Sequence, residues 1–380
     1  MGEPVEIDAG QVADQRVVYD AQRARCPVAH EDGAWVALRH AEVVAVASDP
    51  ATYSSAVSAR RAIPNSLDGA EHAAYRAVVD RFLTPERVAR EESQCRAHAA
   101  AIVDALPRDA TVKTIGQIGV PYAVRSQSTW LGWPAELEDE LVTWMQDNHA
   151  ATRSGDRSRT AEVAERFDQM IHGLLEDRRG HPATDVTGEL LAESVDGRPL
   201  EDEEVVSILR NWTAGDLGSL ATSVGVIVHF LATHPDVQRE VRGHVASGDH
   251  AAVEAAVEEI LRIDDPFVAN RRVTTREVEL GGATIPEGAR VLVNWTAANR
   301  DPLVFGDPDA YDPVGHAAAN LVFGTGPHVC PGRDLTLMEL RVVVEELLAR
   351  TDRIEPAPDR PAVRETPPVG GWARVPVVLR

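Results

Sequence analysis

The chain has little positive charge and almost no lysine. Its 380 residues include 38 Lys+Arg against 60 Asp+Glu, which gives a net charge of −22, and Lys113 is its only lysine. Proteins that bind nucleic acids need a basic surface to replace the counterions around phosphates. We therefore expect no nucleic-acid partner.

Cysteine is scarce, and hydrophobic runs are short. Cys26, Cys95 and Cys330 lie far apart and are odd in number, which favours neither a disulfide framework nor a Cys-x-x-Cys metal site. No stretch approaches the roughly 20 apolar residues of a membrane span, and the first thirty residues lack the apolar core of a signal peptide. We expect a cytoplasmic protein with no membrane partner.

Helical periodicity is clearest in residues 71–83, 136–146, 160–177 and above all 201–233. The last segment, about 33 residues at 1.5 Å per residue, predicts a helix of roughly 50 Å that crosses a whole domain. Gly215, Gly218 and Gly225 interrupt it, each costing about 1 kcal/mol relative to alanine. We therefore expect other groups to approach its backbone closely.

Other segments predict strands and loops. Residues 272–293 alternate with period two around two turns, which indicates short hairpins. The polar stretches 153–159 and 178–185 are expected to be exposed loops, and 299–321 is expected to be irregular.

The most specific motif covers residues 323–332. A cysteine emerges there from a glycine-rich loop at the predicted start of a helix, where the helix dipole favours the thiolate. Such a sulfur can ligate a metal or act as a nucleophile. His328 is nearby as a possible base, but nothing near it completes a catalytic triad. The run reads Phe323-Gly324-Thr325-Gly326-Pro327-His328-Val329-Cys330-Pro331-Gly332.

These ten positions match the haem-ligand loop of the cytochrome P450 family, and the resemblance covers nearly the whole chain. It implies that Cys330 is the axial thiolate ligand of iron in haem b (iron protoporphyrin IX). Phe323 would shield the sulfur, and Gly324, Gly326 and Gly332 would form the turns. The implied fold is mainly α with small β-sheets (α+β), a single haem domain over residues 1–380 with a long central helix.

A buried ion pair is also implied. Glu259 and Arg262 match the family's Glu-x-x-Arg pair, about 70 residues before the cysteine. The family usually adds an arginine from the irregular segment, but this chain has Ala310 there. Arg300 and His316 are both candidates for its role.

Haem carries two propionates, which need cationic or hydrogen-bonding partners when they are buried. The resemblance assigns this role to His72 and Arg76 on one helix face, Arg272 on a strand, and His328 in the cysteine loop.

The long helix departs from the family pattern Ala-Gly-x-acid-Thr, whose acid and alcohol deliver protons. Anchored on Ala214 and Gly215, the sequence has Leu217 at the acid position and Gly218 at the threonine position.

Two nearby residues are candidates to replace the missing pair. Asp216 and Ser219 are spaced i,i+3 and share one side of the helix. Thr213 and Thr222 are weaker candidates, and the alternative role for Asp216 is in helix packing or a salt bridge.

The departure leaves three hypotheses open. The first is a monooxygenase, the second a peroxide-driven or other haem-thiolate oxidation, and the third a haem-binding sensor or carrier without turnover. The length leaves no room for a reductase domain beside the haem domain, so electrons would come from a separate ferredoxin and an NAD(P)H-dependent ferredoxin reductase. Arg333 and Arg341 are candidates for docking an acidic ferredoxin.

We expect a small hydrophobic or aromatic organic substrate. By resemblance, its pocket is lined by residues 57–63, Asn211, Ala214, Gly215, 267–269 and 370–372. Phe267, Trp212 and Trp372 are candidates for shaping it.

Overall fold

The computed structural model describes residues 14–31, 33–58 and 60–380. Helices dominate, and the strands are short, as the sequence predicts. The helices are α1 (Gln15–Arg25), α2 (His40–Ser48), α3 (Gly69–Asp80), α4 (Pro85–Ala105), α5 (Val120–Leu131), α6 (Glu138–Ser154), α7 (Arg157–Gly180), α8 (Val186–Leu191), α9 (Asp202–Thr233), α10 (Pro235–Ser247), α11 (His250–Ile263), α12 (Trp295–Ala298), α13 (Pro302–Phe305) and α14 (Arg333–Ala349).

The largest sheet of the described residues has five strands in the order β1-β2-β10-β7-β3, with β2 and β10 parallel and the other pairs antiparallel. A three-stranded sheet has the order β11-β14-β4. The strands are β1 (Val28–Glu31), β2 (Ala34–Ala37), β3 (Tyr53–Ser54), β4 (Thr111–Lys113), β5 (Ser194–Val195), β6 (Arg198–Pro199), β7 (Ala269–Thr274), β8 (Val278–Leu280), β9 (Ala283–Ile285), β10 (Arg290–Asn294), β11 (Ile354–Pro356), β12 (Val363–Arg364), β13 (Trp372–Arg374) and β14 (Pro376–Leu379).

The long central helix α9 begins and ends almost where the sequence predicts. Glu201 and Glu204 form a capping box at its start, which satisfies amide groups that lack a helical partner. Pro235 begins the next helix just past its end. The expectation that no stretch approaches a membrane span needs correction, because α9 is long and apolar enough to cross one by length and composition. However, 67% of its most apolar window is buried inside the protein. It is therefore the core helix around which α5, α7 and α14 pack.

Two of the three α9 glycines lie where a neighbouring side chain comes close to the helix, as their unfavourable helix propensity suggests. A Cβ at Gly225 would lie 2.6 Å from Ile115 Cγ1, and one at Gly218 would lie 3.0 Å from His149 Nε2. Gly215 has open space at this position. The close approach expected along this helix is therefore confirmed at two of the three glycines.

Two loop predictions need correction. The stretch 153–159 is not a loop, because α6 runs to Ser154 and α7 begins at Arg157, with Gly155 taking the left-handed conformation between them. The stretch 178–185 is helical as far as Gly180. These arginine-rich polar stretches are helical and not loops because arginine has a high helix propensity and its side chain can stay exposed.

Candidate active site

A cavity of about 320 Å³ lies between α9 and the loop that precedes α14. Cys330 is one of its lining residues, and the wall is completed by side chains from α3, α5, α9 and β7. All eight residues to which the sequence assigns cofactor binding line this cavity: His72, Arg76, Arg272, Phe323, Gly324, His328, Cys330 and Gly332.

The cysteine loop is held by its own backbone and by α2. The Cys330 amide donates to the Phe323 carbonyl at 2.9 Å. Gly326 has a positive φ of 74° and lies so close to α2 that a Cβ would collide with the Ala47 carbonyl oxygen. Only glycine satisfies both demands. The helix begins at Arg333, with Gly332 as its N-cap, so Pro331 lies just before the helix.

The Cys330 sulfur is not ionised by the helix dipole alone. Burial raises the pKa of the Cys330 thiol, and the backbone hydrogen bond with Gly332 only partly lowers it. A bound metal cation reverses this balance, because a coordinating thiol is deprotonated. The site therefore suits a metal ligand better than a free nucleophile.

The cationic end of the cavity fits an anionic group. Arg272 is 6% exposed, and among the described residues no carboxylate lies within ion-pair distance of it. His72 and His328 have ring centroids 4.1 Å apart, and the His328 ring bonds Ser55 Oγ at 3.1 Å. Arg76 donates to the Val329 carbonyl at 2.7 Å and pairs with Asp80 at 2.6 Å. A buried guanidinium without a counter-charge is costly, so these residues fit the propionates of a haem.

The Glu-x-x-Arg pair holds the irregular segment that leads to the loop. Glu259 and Arg262 form two contacts of 2.8 Å, and both side chains are almost fully buried. Arg262 also donates to the carbonyls of Asn299 and Ala310 at 2.8 and 2.9 Å. The third partner is His316, whose Nδ1 lies 2.7 Å from Glu259 Oε1.

Arg300, the other candidate for this third position, has a different role. It pairs with Asp20 at 2.9 Å and with Asp309 at 2.8 Å. His316 therefore takes the place of the arginine that Ala310 removes.

One face of α9 borders the cavity, through Gly215, Asp216 and Ser219. Ala214, which was also predicted to be a catalytic residue, does not line the cavity. Ser219 Oγ donates back to the Gly215 carbonyl at 2.6 Å. Asp216 Oδ2 is enclosed and has no hydrogen-bond partner among the described residues, and burial raises the pKa of this carboxyl.

The weaker candidates on α9 do not reach the cavity. Thr213 Oγ1 donates to the Leu209 carbonyl at 2.9 Å and Thr222 Oγ1 to the Gly218 carbonyl at 2.8 Å. Both hydroxyls thus bond to their own helix, and neither residue lines the cavity.

The predicted substrate pocket is only partly correct. Asn211, Gly215 and Phe267 line the cavity, but Val268, Ala269 and the described residues of the segment 57–63 do not. Ala59 lies outside the described residues. Gly370 and Gly371 line a separate cavity of about 10 Å³.

Trp372 is a core residue, which corrects its predicted place in the pocket. Its ring lies between His229 at 3.8 Å and the Arg364 guanidinium at 3.7 Å, and its Nε1 donates to Asp264 at 3.0 Å. Trp212, which was also predicted to shape the pocket, does line the cavity, as do Trp130 and Trp295.

The sequence analysis missed one polar residue of the cavity wall, Gln127, and one buried acid of α14, Glu339. Gln127 lines the cavity with both amide atoms enclosed and unpartnered in the described chain. Glu339 is 1% exposed and lies between the apolar residues Met338 and Leu340 of α14, but it is not one of the lining residues. The sequence could have indicated that Glu339 is buried, because it is an acidic residue between apolar residues of a predicted helix. Nothing in the sequence near Gln127 distinguishes it from an ordinary surface glutamine.

Comparisons with known proteins agree on one family. The family described as "Cytochrome P450" matches residues 140–369. The chain is 32% identical to erythromycin C-12 hydroxylase of Saccharopolyspora erythraea, over 90% of this chain and 89% of that protein. It is 27% identical to linalool 8-monooxygenase of Pseudomonas putida, over 87% and 86% of the two chains. A solved structure of a mutant of P450 EryK in complex with erythromycin B superimposes with a TM-score of 0.86 at 27% identity, covering 96% of this chain and 95% of that one.

The chain belongs to the cytochrome P450 family. It is a haem monooxygenase and thus an oxidoreductase, and the predicted mainly helical fold with small sheets is confirmed. The family implies a haem-iron cofactor.

Proposed function

We propose that this chain inserts one oxygen atom of O2 into a small hydrophobic or aromatic organic substrate. Electrons come from a separate ferredoxin and an NAD(P)H-dependent ferredoxin reductase. One substrate, one O2, two electrons and two protons yield one oxygenated product and one water. The observation that carries the proposal is that Cys330, Asp216 and Ser219 line the same cavity.

Haem b is the cofactor that this cavity suits. Cys330 would ligate its iron, with Phe323 beside the sulfur, while Arg272 and the adjacent His72 and His328 would hold its propionates. When bound, a haem-thiolate supplies the redox chemistry, since thiolate donation favours O–O cleavage.

The α9 face supplies polar atoms at the cavity wall. The Ser219 hydroxyl donates its hydrogen bond to the Gly215 carbonyl. Its oxygen can still accept a hydrogen bond from an ordered water. Asp216 places a carboxyl on the same face. These two residues support a modified proton supply in place of the family's acid and threonine.

The apolar wall supports the proposed substrate class. Trp130, Trp212, Phe267 and Trp295 border the cavity, and burial of apolar surface stabilises a bound ligand by about 25 cal/mol per Å². The relatives are named for different substrates, erythromycin and linalool. Their names therefore select no single compound for this chain.

Arg333 is the proposed docking residue for an acidic ferredoxin. It lies three residues after Cys330, and its side chain is 43% exposed although it pairs with Glu258. Arg341 does not suit this role, because its side chain is 5% exposed and pairs with Glu92, Glu254 and Glu345. The prediction that Arg341 docks a partner is therefore withdrawn.

We also propose that residues 1–380 form a single domain that works in the cytoplasm. Residues from Pro64 to Thr336 line one cavity, which supports one domain. The three cysteines are free thiols, as is usual in a reducing compartment.

Two measurements on the haem-loaded protein test the proposal. A compound library is screened for the low-spin to high-spin Soret shift that reports displacement of iron-bound water, and apolar compounds should give it. Compounds that bind are then incubated with NADH, ferredoxin and reductase, or with peroxide alone. Product with the ferredoxin system supports the proposal. Product with peroxide alone would favour the peroxide-driven reaction, and no product with either would favour a sensor or carrier.

A further inference from the structure

Asp264 and Asp265 are adjacent in sequence, but their carboxyls have opposite environments. Asp264 pairs with Arg364 at 2.5 Å and accepts a hydrogen bond from Trp372 Nε1 at 3.0 Å. Asp265 is 3% exposed, and among the described residues no arginine, lysine or histidine lies within 4.0 Å of its carboxyl. Buried carboxyls normally have a counter-charge or a full set of hydrogen bonds. Asp265 is therefore an exception that calls for a partner.

A tight turn holds one carboxyl oxygen of Asp265 and leaves the other without a partner. Oδ1 accepts a hydrogen bond from the Phe267 amide at 2.8 Å. Oδ2 is enclosed and has no hydrogen-bond partner in the part of the chain that the structure describes. Pro266 lies between these two residues, and its fixed φ stiffens the turn. Oδ2 is thus the atom whose missing partner a ligand can supply.

Asp265 lies in the wall between two cavities. It lines the active cavity of about 320 Å³, as does Phe267 two residues further on. It also lines the separate cavity of about 10 Å³. Phe267 is 48% exposed as well as lining the active cavity, which places this part of the wall near solvent. A compound in the active cavity can therefore reach Asp265.

The arginines of the smaller cavity are already neutralised. Arg16 pairs with Asp14 at 2.7 Å. Arg364 pairs with Asp264 at 2.5 Å and with Asp14 at 3.2 Å. These two cations and two anions balance each other without Asp265.

The other titratable groups near this wall add no positive charge for Asp265. Burial lowers the pKa of His229 on α9 to about 4, so its ring is neutral at pH 7. Arg272 and Arg76 lie at the end of the active cavity that fits the haem propionates. Burial raises the pKa of Asp265 itself well above its usual value, and the charge of Asp264 adds to this, although the Phe267 amide opposes it.

Two further side chains of the active cavity offer hydrogen-bond acceptors. Asn211 donates through Nδ2 to the Ile63 carbonyl at 2.7 Å, and no donor of the described residues bonds its Oδ1. Ser219 donates to the Gly215 carbonyl, so its oxygen can accept from a ligand. Aromatic rings of the same wall, such as Phe267, attract a cation to their faces.

The enclosed indole donor of the wall lies in a different setting. Trp212 Nε1 has no partner among the described residues, but its ring packs against Trp130 of α5 and Phe82, at 5.0 and 5.5 Å between centroids. It therefore belongs to an aromatic cluster at α5 and not to the turn that holds Asp265.

We propose that Asp265 is a specificity-determining residue that binds a protonated amine, and that the substrate is an organic amine with an apolar body. This inference rests on the proposed function and narrows its substrate class. An ammonium group carries donors and a positive charge but no acceptor. It supplies the counter-charge that Asp265 lacks and matches the acceptors of Asn211 and Ser219, while the aromatic wall holds the apolar body.

The charge balance of binding closes. A protonated Asp265 releases its proton to water when the cation binds, and the carboxylate that remains pairs with the cation. No covalent bond of the ligand and no electron is involved. Affinity for a permanent cation should therefore rise with pH up to the pKa of Asp265 in the free enzyme and level off above it. Asp265→Asn should remove this pH dependence.

Equilibrium dialysis of the haem-loaded protein measures the preference for charge. Benzyltrimethylammonium and neopentylbenzene have the same shape, but only the first is charged, and its nitrogen has no lone pair that could bind iron. The wild type should bind the cation more tightly than the neutral compound. D265N should weaken binding of the cation about 30-fold, the low end for loss of one partner of a buried charge pair, and binding of the neutral compound by less than about twofold.

Glu204→Gln is the matched control for the loss of one buried negative charge. Glu204 is 4% exposed and does not line the active cavity, and its replacement changes the net charge of the chain by the same amount as D265N. E204Q should therefore keep the preference for the cation.

Three results would overturn the proposal. The first is an unchanged preference in D265N, and the second is an equal loss for both compounds, which would indicate a general packing defect. The third is a preference that D216N abolishes and D265N does not, since Asp216 would then bind the cation. Dialysis needs no electrons and no turnover. Amine binding without product would therefore contradict the proposed function while leaving the amine site at Asp265 supported.

Discussion

The loop that carries Cys330 and the middle of α9 face the same cavity, yet they are built in different ways. In the loop, the Cys330 amide bonds the Phe323 carbonyl, and Gly326 packs against the α2 backbone. In α9, Ser219 bonds only its own helix, and Asp216 Oδ2 has no partner among the described residues. Backbone hydrogen bonds and close packing thus fix the loop, whereas the polar side chains of α9 at the cavity either bond their own helix or have no partner.

Breaking the scaffold of the loop should have the largest effect on stability. Glu259→Gln leaves Arg262 buried without a full counter-charge and weakens the bond with His316. Loss of one partner of a buried ion pair costs about 3–5 kcal/mol, measured here by urea unfolding. Glu204→Gln is the control, since its partner Arg198 has a side chain that is 47% exposed. Equal costs for the two variants would contradict the scaffold role.

Gly326→Ala tests the fit of the loop against α2. The variant meets both the strained positive φ and the collision with the Ala47 carbonyl oxygen, and strain of this kind costs about 1–3 kcal/mol. Gly288→Ala is matched, because Gly288 has the same φ of 74° but no atom within 4 Å of the added Cβ. G326A should be the less stable variant and should retain less haem. If the two variants lose the same stability, the contact with α2 is unimportant.

The sequence shows the loop far better than it shows the cavity wall of α9. Residues 323–332 are contiguous, so the whole motif can be recognised in the sequence. Glu259 and Arg262 are only three residues apart, so their pairing can be recognised as well. Choosing His316 over Arg300 requires the path of an irregular segment, which has no periodicity to read. Which residues of α9 face the cavity depends on the rotation of the helix about its axis. Ala214 is adjacent to the lining residue Gly215, so an error of one position is enough to assign it wrongly. Glu339 is buried by the packing of α14 against α4 and α9, which are distant from it in sequence.

Gly218→Ala tests how closely His149 approaches α9. Replacing a helical glycine by alanine should stabilise by about 1 kcal/mol, but the new methyl would lie 3.0 Å from His149 Nε2. Gly173→Ala on α7 is the control, because it has open space. We expect G173A to raise the free energy of unfolding and G218A not to raise it. Adding H149A to G218A should restore the gain. A full gain in G218A alone would show that His149 moves away freely.

Arg333→Glu should produce the smallest effect, confined to partner docking. The change places a negative charge near Cys330 and should slow electron transfer from an acidic ferredoxin several-fold at low salt, with less effect at high salt because exposed charges are screened. Arg341→Glu should instead destabilise the fold, since it breaks a buried ion-pair network. An unchanged electron-transfer rate in R333E at low salt would remove this residue from the docking surface.

The central claim is that Cys330 binds haem iron as a thiolate, and the reduced carbon monoxide complex tests it most directly. The wild-type protein should show the red-shifted Soret band of a haem-thiolate. Cys330→Ala should lose that band, while Cys95→Ala, which changes a buried thiol of α4 away from the cavity lining, should retain it. A wild-type complex without the red shift, or a C330A complex that keeps it, would contradict the assignment.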